Sequence, residues 1–305
     1  MEYVLETQNL TKVYGAKEAA KDVNLHIRPG QIYGLIGRNG AGKTTIMRMI
    51  SGLSTPTRGD YTLFGKSGSE KGQMLKDVGV LIESPGLYPK LSGYENLKIK
   101  CIARGVNPKG YVEELLRAVG LENVDRKKGA GSYSLGMRQR LGIALALVGD
   151  PKLIVLDEPI NGLDPQGIAD VRQMVVRLRD ERGITVMISS HILDELAKVA
   201  DVYGIINEGT LLDEFTAEEL SRRTEEYVSI RTDAPEKAMQ ALRAMGLTRI
   251  ELDPAGRIHV REQLDNTPAM AKAVVDCGAP LREIAVHNAS LEEYYLGLTG
   301  GSGNA

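Results

Sequence analysis

The sequence predicts an α/β protein with a parallel sheet, an antiparallel β subdomain and a helical subdomain, followed by a small α+β domain. Three observations lead to this prediction. Four consecutive apolar residues at 153–156 indicate a strand buried on both faces, as in a parallel sheet. Residues 3–33 alternate between apolar and polar side chains, which is typical of short antiparallel strands. After residue 225, strand and helix patterns follow in the order βαββαβ, which favours a ferredoxin-like sandwich.

The length of the chain predicts more than one domain, because 305 residues exceed a typical single domain. From the changes in pattern we expect a first domain at 1–215 and a linker helix at 216–224. An accessory domain at 225–299 and a flexible tail at 300–305 complete the predicted organisation.

Charge, hydropathy and cysteine usage narrow the functional class. The 38 basic and 40 acidic residues nearly balance, which argues against a nucleic-acid partner. The sequence has no apolar run of about 18 residues and begins without the basic and apolar regions of a signal peptide. Cys101 and Cys277 lack the spacing of a metal site, so we expect reduced thiols rather than a disulfide. These features predict a soluble protein that faces the cytosol.

A glycine-rich loop between a predicted strand at 31–36 and a predicted helix at 46–50 fits the pattern G-x-x-x-x-G-K-[ST]. In this context the backbone N–H groups of the loop surround a polyphosphate, and the helix N-terminus adds its positive end. Lys43 would reach the β- and γ-phosphates, and the Thr44 hydroxyl would hold Mg²⁺. The predicted nucleotide-binding residues of the loop are Gly37, Arg38, Asn39, Gly40, Ala41, Gly42, Lys43, Thr44 and Thr45.

Two carboxylates follow the strand at 153–156, at the sheet edge where ligands of open parallel sheets bind. Asp157 is placed to order Mg²⁺, and Glu158 to polarise an attacking water. The alternative is a pair of surface charges at a strand end. His191 follows a predicted strand at 184–190, so it is either structural or lies beside the γ-phosphate.

Further motifs carry a family resemblance. Residues 133–140 match a signature usually written L-S-G-G-Q at Ser134 and Gly136, and residues 161–164 are similar to a motif called the D-loop. With the phosphate loop, the carboxylate strand and His191 at the switch-histidine position, these motifs occur in family order. Over about residues 2–212 the chain resembles the ATP-binding subunit of an ABC transporter. This implies an ABC-type P-loop NTPase core that hydrolyses MgATP.

The resemblance assigns roles to several residues. From its spacing alone, Tyr14 is either an aromatic residue that stacks on a base or a half-buried aromatic residue of a strand. By the resemblance, Tyr14 would stack on adenine. Glu158 would be the general base, and His191 would contact the γ-phosphate. Ser134 and Gly136 of the signature and Asp164 of the D-loop would complete the nucleotide site.

The chain departs from the family pattern at two places. Glu83 stands where the family normally has Gln; its carboxylate can coordinate Mg²⁺ or a lytic water but cannot donate a hydrogen bond as an amide does. In the signature, Leu135 replaces a Gly and Met137 replaces the Gln. Such variants are similar to the subgroup that exports bacitracin-type and lantibiotic peptides or gives immunity to them.

The resemblance also implies partners. The chain carries one phosphate loop and one signature, so a second copy is expected to form a head-to-tail dimer around two ATP molecules. A separate membrane permease would hold the protein at the cytoplasmic face of the membrane. Its docking surface would lie at residues 84–105, with Leu87, Tyr88 and Tyr94 as candidate contacts, although ordinary packing explains them equally well.

Other functions are less well supported. ABC proteins that act on ribosomes or DNA usually join two ATP modules or insert long coiled coils, and the sequence shows neither. A GTP-binding switch would need a guanine-recognition motif of the N-K-x-D type, which does not occur. A low-turnover immunity or sensor subunit remains open because of Glu83 and the altered signature.

The accessory domain shows no catalytic cluster. We expect His259 and His287 to be structural and the domain to be regulatory or to stabilise a dimer. Ser290 and Glu293 predict a capping box for its last helix.

Overall fold

In the computed structural model, the described residues are 2–223, 226–287 and 291–300. The chain divides into two compact units, Met1–Ala217 and Glu218–Ala305. Ser290 and the predicted tail residues 301–305 lie outside the described residues.

The core of the first unit is a parallel sheet with one antiparallel edge strand. The strands of the first unit are β1 (Leu5–Tyr14), β2 (Lys17–Val23), β3 (His26–Ile27), β4 (Ile32–Ile36), β5 (Arg58–Leu63), β6 (Val78–Leu81), β7 (Leu153–Leu156), β8 (Thr185–Ser190), β9 (Val202–Asn207) and β10 (Thr210–Thr216). The core sheet has the order β10-β9-β4-β8-β7-β6, and only the β9–β10 pair is antiparallel. All residues of β4, β7 and β8 are buried, which confirms the buried strand predicted at 153–156.

The register of the core sheet brings several strand ends together. Ile36, the last residue of β4, pairs with Ser190 at the end of β8, and Leu156 at the end of β7 pairs with Ile188. Because these strands are parallel, the segments that follow them leave from the same edge of the sheet. The candidate site is built on this edge.

A second sheet confirms the predicted antiparallel subdomain. It has the order β2-β1-β3, and β5 also pairs with β1. Strand β5 starts at Arg58, earlier than the predicted strand at Tyr61, because its residues from Arg58 onward pair with β1. Leu5, Leu25 and Leu63 of this subdomain are buried in one core cluster with the helix after β4.

The helices of the first unit are α1 (Lys43–Ile50), α2 (Lys71–Met74), α3 (Gly93–Ala103), α4 (Tyr111–Ala118), α5 (Leu135–Ala146), α6 (Pro165–Arg182) and α7 (Leu193–Ala197). Helices α3 to α5 form the helical segment predicted between residues 92 and 148. Helix α7 is shorter than the predicted 192–200, because the Val199 and Ala200 amides both donate to the Leu196 carbonyl in a closing turn.

Strand β10 was not predicted. It follows a two-residue turn in which Glu208 (φ 47°) and Gly209 (φ 82°) both have positive φ, as a tight hairpin requires. This turn also reaches two other segments: Lys21 N donates to Gly209 O at 2.8 Å, and Gly209 N donates to Ala41 O at 2.8 Å. The hairpin therefore connects β2 to the glycine-rich loop.

The second unit has the predicted ferredoxin-like order βαββαβ. Its elements are α8 (Ala217–Arg223, which begins at the boundary), β11 (Tyr227–Thr232), α9 (Pro235–Ala244), β12 (Ile250–Leu252), β13 (Ile258–Val260), α10 (Thr267–Asp276), β14 (Leu281–His287) and α11 (Leu291–Thr299). The sheet is antiparallel with the order β12-β13-β11-β14, and α9 and α10 contribute Leu242 and Val274 to its core. Strand β12 begins later than the predicted 247–252, because the Thr248 and Arg249 amides donate to the Glu262 carboxylate instead of a strand partner.

Candidate functional site

The glycine-rich loop at 37–45 lies between β4 and α1, as predicted. Gly42 has a φ of 109° and precedes the first residue of α1, so the helix begins at Lys43 rather than at residue 46. A Cβ atom at Gly42 would lie 2.4 Å from the Ala19 carbonyl oxygen, and one at Gly37 would lie 2.5 Å from the Ile206 carbonyl oxygen. Only glycine fits at these two positions, because any side chain would collide with the backbone of β2 or β9.

A cavity of about 320 Å³ opens at this loop. The loop residues that line it are Arg38, Asn39, Gly40, Gly42, Lys43, Thr44 and Thr45. Tyr14, Lys17, Ala19 and Glu158 complete the lining. Gly37 and Ala41, the other two predicted loop residues, are buried beneath it. Tyr14 is 48% exposed, and the Lys12 ammonium lies over its ring, 5.1 Å from the ring centre.

Lys43 is a buried cation held by three oxygen atoms. Only 5% of the residue is exposed, and its Nζ donates to Gly37 O at 2.6 Å and to Arg38 O at 3.3 Å. Nζ also lies 3.0 Å from Glu158 Oε1. A buried ammonium needs such partners, and a phosphate oxygen in the cavity would offer it a stronger one.

Thr44, which lines the cavity, is hydrogen-bonded to the buried Asp157, and Asp157 is also contacted by the buried Ser189. Thr44 Oγ1 donates to Asp157 Oδ2 at 2.6 Å, and Ser189 Oγ donates to Asp157 Oδ1 at 2.6 Å. The Glu158 amide donates to the same Ser189 oxygen at 2.9 Å. A hydroxyl and a carboxylate beside a phosphate site are the oxygen donors that Mg²⁺ takes in such sites, so the residues fit this ion.

Glu158 lies between two basic side chains. Its Oε1 is 3.0 Å from Lys43 Nζ, and its Oε2 is 2.9 Å from His191 Nδ1. The residue has a φ of 47°, a left-handed conformation that is uncommon outside glycine and that often occurs at functional sites. The structure therefore brings Glu158, His191 and Lys43 together, and Glu158 faces the cavity.

The signature residues and Asp164 do not line this cavity. Ser134 is the N-cap of α5, where its Oγ accepts from the Met137 amide at 3.2 Å. Asp164 is the N-cap of α6, where its Oδ1 accepts from the Gly167 amide at 3.0 Å. Gly136 lies half-buried in the first turn of α5, beside the exposed Ser134 and Leu135. These positions make the α5 N-terminus available to an anion from outside the chain.

Glu83 does not line the cavity either. Its carboxylate lies 2.5 Å from Arg48 Nη2, one helical turn beyond Thr44 on α1. Both side chains are well exposed, at 63% for Glu83 and 40% for Arg48. Glu83 is thus paired with a cation rather than with Thr44 or Asp157.

A second cavity, of about 490 Å³, lies beside the segment after β6. Its apolar lining includes Leu53, Pro85, Tyr88, Ile99 and Leu145. Of the three candidate docking residues, only Tyr88 lines this groove. Leu87 is half-buried outside it. The half-buried Tyr94 lies 4.7 Å from the Arg126 guanidinium, measured to the centre of its ring.

Sequence reasoning missed three residues of the site. Lys17 and Ala19 line the cavity, and Ser189 hydrogen-bonds both Asp157 and the Glu158 amide. The position of Ser189 directly before Ser190 and His191, at the end of a buried strand, was the available signal. Lys17 had only its closeness to Tyr14.

Other residues singled out in the sequence are not among those that line this cavity. Cys101 and Cys277 are free, and the part of the chain that the structure describes holds no group of three or more His, Cys, Asp or Glu suited to a metal. His259 Nε2 lies 3.4 Å from Asp253 Oδ2, and the His259 and His287 rings both pack on Tyr227. No helix within the described residues has the length and apolarity needed to cross a membrane.

Comparison with known proteins gives a family, close relatives and similar solved structures. A family model described as ABC transporter matches residues 20–161. The bacitracin transport ATP-binding protein BcrA of Enterococcus faecalis is 42% identical over 100% of this chain and 99% of its own length. The lantibiotic transport ATP-binding protein SrtF of Streptococcus pyogenes is 45% identical over 68% of this chain and 89% of its own. Among solved structures, the chain superposes on a dimeric post-hydrolysis structure of the ATP-binding cassette MJ0796 with ADP and Pi, with a TM-score of 0.64. The two sequences are 24% identical, and the match covers 70% of this chain and 98% of the MJ0796 chain.

Proposed function

The chain belongs to the family of ABC transporter ATP-binding proteins, and we propose that it powers export of a bacitracin-like peptide antibiotic through a separate membrane permease. As an ATP-binding subunit of this family, it binds nucleotide and hydrolyses ATP. The observation that carries the proposed substrate class is that the similarity to the bacitracin transport protein runs over 100% of this chain, the second unit included. In this proposal the transported substrate is a peptide antibiotic or another hydrophobic compound.

For catalysis, we assign the general-base role to Glu158. Its carboxylate faces the cavity at a strand end, where it can accept a proton from an attacking water. His191, 2.9 Å from Glu158 Oε2, orients this carboxylate and is the proposed γ-phosphate contact, although it does not itself line the cavity. When phosphate oxygens draw Lys43 away from Glu158 Oε1, now 3.0 Å away, the carboxylate becomes free to take the proton.

The phosphate loop and Tyr14 bind the nucleotide in this proposal. Backbone N–H groups of the loop and the N-terminus of α1 face the phosphates, and Tyr14 stacks on the adenine. Thr44 and Asp157 would hold Mg²⁺, which supplies positive charge at the β- and γ-phosphates. Ser189 keeps the Asp157 carboxylate oriented toward Thr44.

A second copy of the chain completes the site. Ser134, Gly136 and Asp164 lie outside the cavity of their own chain, which supports a head-to-tail arrangement in which they meet the nucleotide of the partner. The cassette MJ0796 with ADP and Pi is likewise described as dimeric. The γ-phosphate then stabilises the closed dimer, and hydrolysis removes that stabilisation.

The apolar groove beside the segment after β6 is the proposed docking site of the permease. Tyr88 and Leu53 are 56% and 64% exposed there, and such exposed apolar side chains in a groove fit a partner helix or loop. Docking at this groove would hold the protein at the cytoplasmic face of the membrane. Glu83, which directly precedes the groove segment, pairs with Arg48, one helical turn beyond Thr44 on α1.

The test is bacitracin resistance in a sensitive bacterium that expresses this chain with the membrane protein encoded beside it. We expect the pair to raise the inhibitory concentration and the membrane protein to co-purify with the chain. Glu158→Gln is the matched control, which should keep co-purification and lose resistance. Unchanged susceptibility with an active, co-purifying wild-type pair would rule out this substrate class.

A further inference from the structure

We propose that Lys17 is a nucleotide-binding residue whose ammonium contacts the α-phosphate of the bound nucleotide. This inference rests on the proposed roles of Tyr14 and the phosphate loop. It adds a contact beside Tyr14 in the cavity that Lys43 also lines.

The position of Lys17 follows from the β1–β2 hairpin. Tyr14, the last residue of β1, pairs directly with Lys17, the first residue of β2. Side chains of directly paired residues project from the same face of a sheet, so the aromatic ring and the ammonium stem start side by side. Both side chains line the cavity at the phosphate loop.

The backbone that carries Lys17 is tightly placed against the phosphate loop. The Ala19 carbonyl oxygen would lie 2.4 Å from a Cβ atom at Gly42, so β2 and the loop touch without space for a side chain between them. Two residues further on, Lys21 N donates to Gly209 O at 2.8 Å, and Gly209 N donates to Ala41 O at 2.8 Å. The strand that carries Lys17 is therefore anchored against the loop at Ala19 and Lys21.

The charges around the cavity favour an anionic ligand at Lys17. The ionisable cavity-lining groups, apart from Tyr14, are Lys17, Arg38, Lys43 and Glu158. Glu158 already lies within 3.0 Å of both Lys43 and His191, whereas Lys17 makes no ion pair or side-chain hydrogen bond within the described ranges 2–223, 226–287 and 291–300. The adjacent Glu18 pairs with Arg58 at 3.1 Å. A cation without a protein partner at the mouth of a polyphosphate site is suited to bind a phosphate.

The order of groups along a nucleotide selects the α-phosphate. Lys43, at the buried end, is the proposed γ-phosphate contact, and Tyr14 is the proposed base contact. Lys17 starts beside Tyr14 and so lies near the base end of the nucleotide. The charged group nearest the base and ribose is the α-phosphate, which ATP and ADP share.

Lys17→Gln in the full chain tests this contact, because Gln removes the charge and keeps a similar stem. We expect the Kd values for ADP and ATP, measured by isothermal titration calorimetry, to rise by the same factor of about five to ten. The factor should shrink at high salt, since an exposed ion contact is screened. Lys17→Arg should restore most of the affinity. Lys21→Gln, an exposed lysine on the same strand that does not line the cavity, is the matched control and should bind as wild type.

The outcomes separate this inference from the proposed function. Wild-type Kd values for Lys17→Gln, beside clear nucleotide binding by the wild type, would overturn the contact and leave the nucleotide site intact. If Lys17→Gln raised the Kd for ATP and left the Kd for ADP unchanged, the α-phosphate assignment would be overturned. A wild-type chain that binds neither nucleotide would overturn the proposed function itself. Circular dichroism melting of each variant checks that the fold is retained.

Discussion

Replacing Ser189 with Ala should separate catalysis from nucleotide binding. The Ser189 side chain is 0% exposed, donates to Asp157 Oδ1 at 2.6 Å and accepts from the Glu158 amide at 2.9 Å. Ser189→Ala removes the one atom that both residues share. The phosphate loop and Lys43 keep all their contacts, because none of these involves Ser189.

The expected magnitude follows from the two broken hydrogen bonds. A buried group left without a partner costs about 1–3 kcal/mol, which gives about 2–6 kcal/mol for two such groups. Because Asp157 stays hydrogen-bonded, we expect the free energy of unfolding to fall by about 2–4 kcal/mol. Asp157 keeps its bond from Thr44 at 2.6 Å, which limits the loss. Glu158 has a strained backbone and loses the hydrogen bond that holds its amide, so its carboxylate is less well positioned. A loss of about 1.4 kcal/mol in transition-state stabilisation lowers kcat tenfold. We therefore expect kcat to fall about tenfold and KM for ATP to stay within about twofold.

The assay is steady-state ATP hydrolysis, combined with urea unfolding of the same preparations. Ser190→Ala is the control, since Ser190 is an equally buried neighbour whose Oγ accepts from the Ile192 amide at 2.9 Å and from no other group of the described residues. This control should lose about 1 kcal/mol of stability and keep its kcat. If both variants showed the same kcat, or if Ser189→Ala raised KM with kcat unchanged, the anchoring role of Ser189 would be refuted.

Three further predictions address other parts of the chain. Glu158→Gln should abolish turnover and retain the protein with MgATP as a dimer on size-exclusion chromatography; a monomer under these conditions would contradict the shared site. Glu83→Gln should leave the Kd for ATP within about twofold and change the free energy of unfolding by less than about 0.5 kcal/mol, because its pair with Arg48 is exposed; complete loss of binding would show a direct role in the site. Burial lowers the pKa of His259 from its ordinary value of 6.5, so its neutral form is favoured in the folded state and stability should decrease as pH falls below 6.5. His259→Asn should flatten this decrease in thermal melts between about pH 7 and 5, and an unchanged slope would assign it to other groups.

Local patterns of the sequence predicted most of the fold. Apolar runs marked the buried strands, such as β7, and the glycines of the phosphate loop marked the junction of β4 and α1. Strand β10 escaped prediction because only Phe215 among its residues is fully buried, so it shows no clear alternation. Its place in the sheet comes from the Glu208–Gly209 turn and from pairing with β9.

The candidate site was predicted where residue type and spacing carry the chemistry, as for Lys43, Asp157 and Glu158. The remaining contacts depend on which segments the fold brings together. Ser189 meets Asp157 because β7 and β8 are parallel neighbours in register. The pairing of Glu83 with Arg48 joins positions 35 residues apart, which no local pattern reveals.

The turn at Glu208–Gly209 limits where this protein can be engineered. Surface hairpin turns are normally good sites for inserting a peptide tag or a fluorescent reporter. In this chain both polar backbone groups of Gly209 are used, one by Lys21 and one by Ala41. An insertion here would pull on the phosphate loop through Ala41, so a label at this hairpin would report on a damaged nucleotide site. The hairpin turn at 254–256 of the second unit, where Pro254 and Ala255 are exposed and a Cβ atom added at Gly256 (φ 80°) would meet nothing within 4 Å, is the better place for a label.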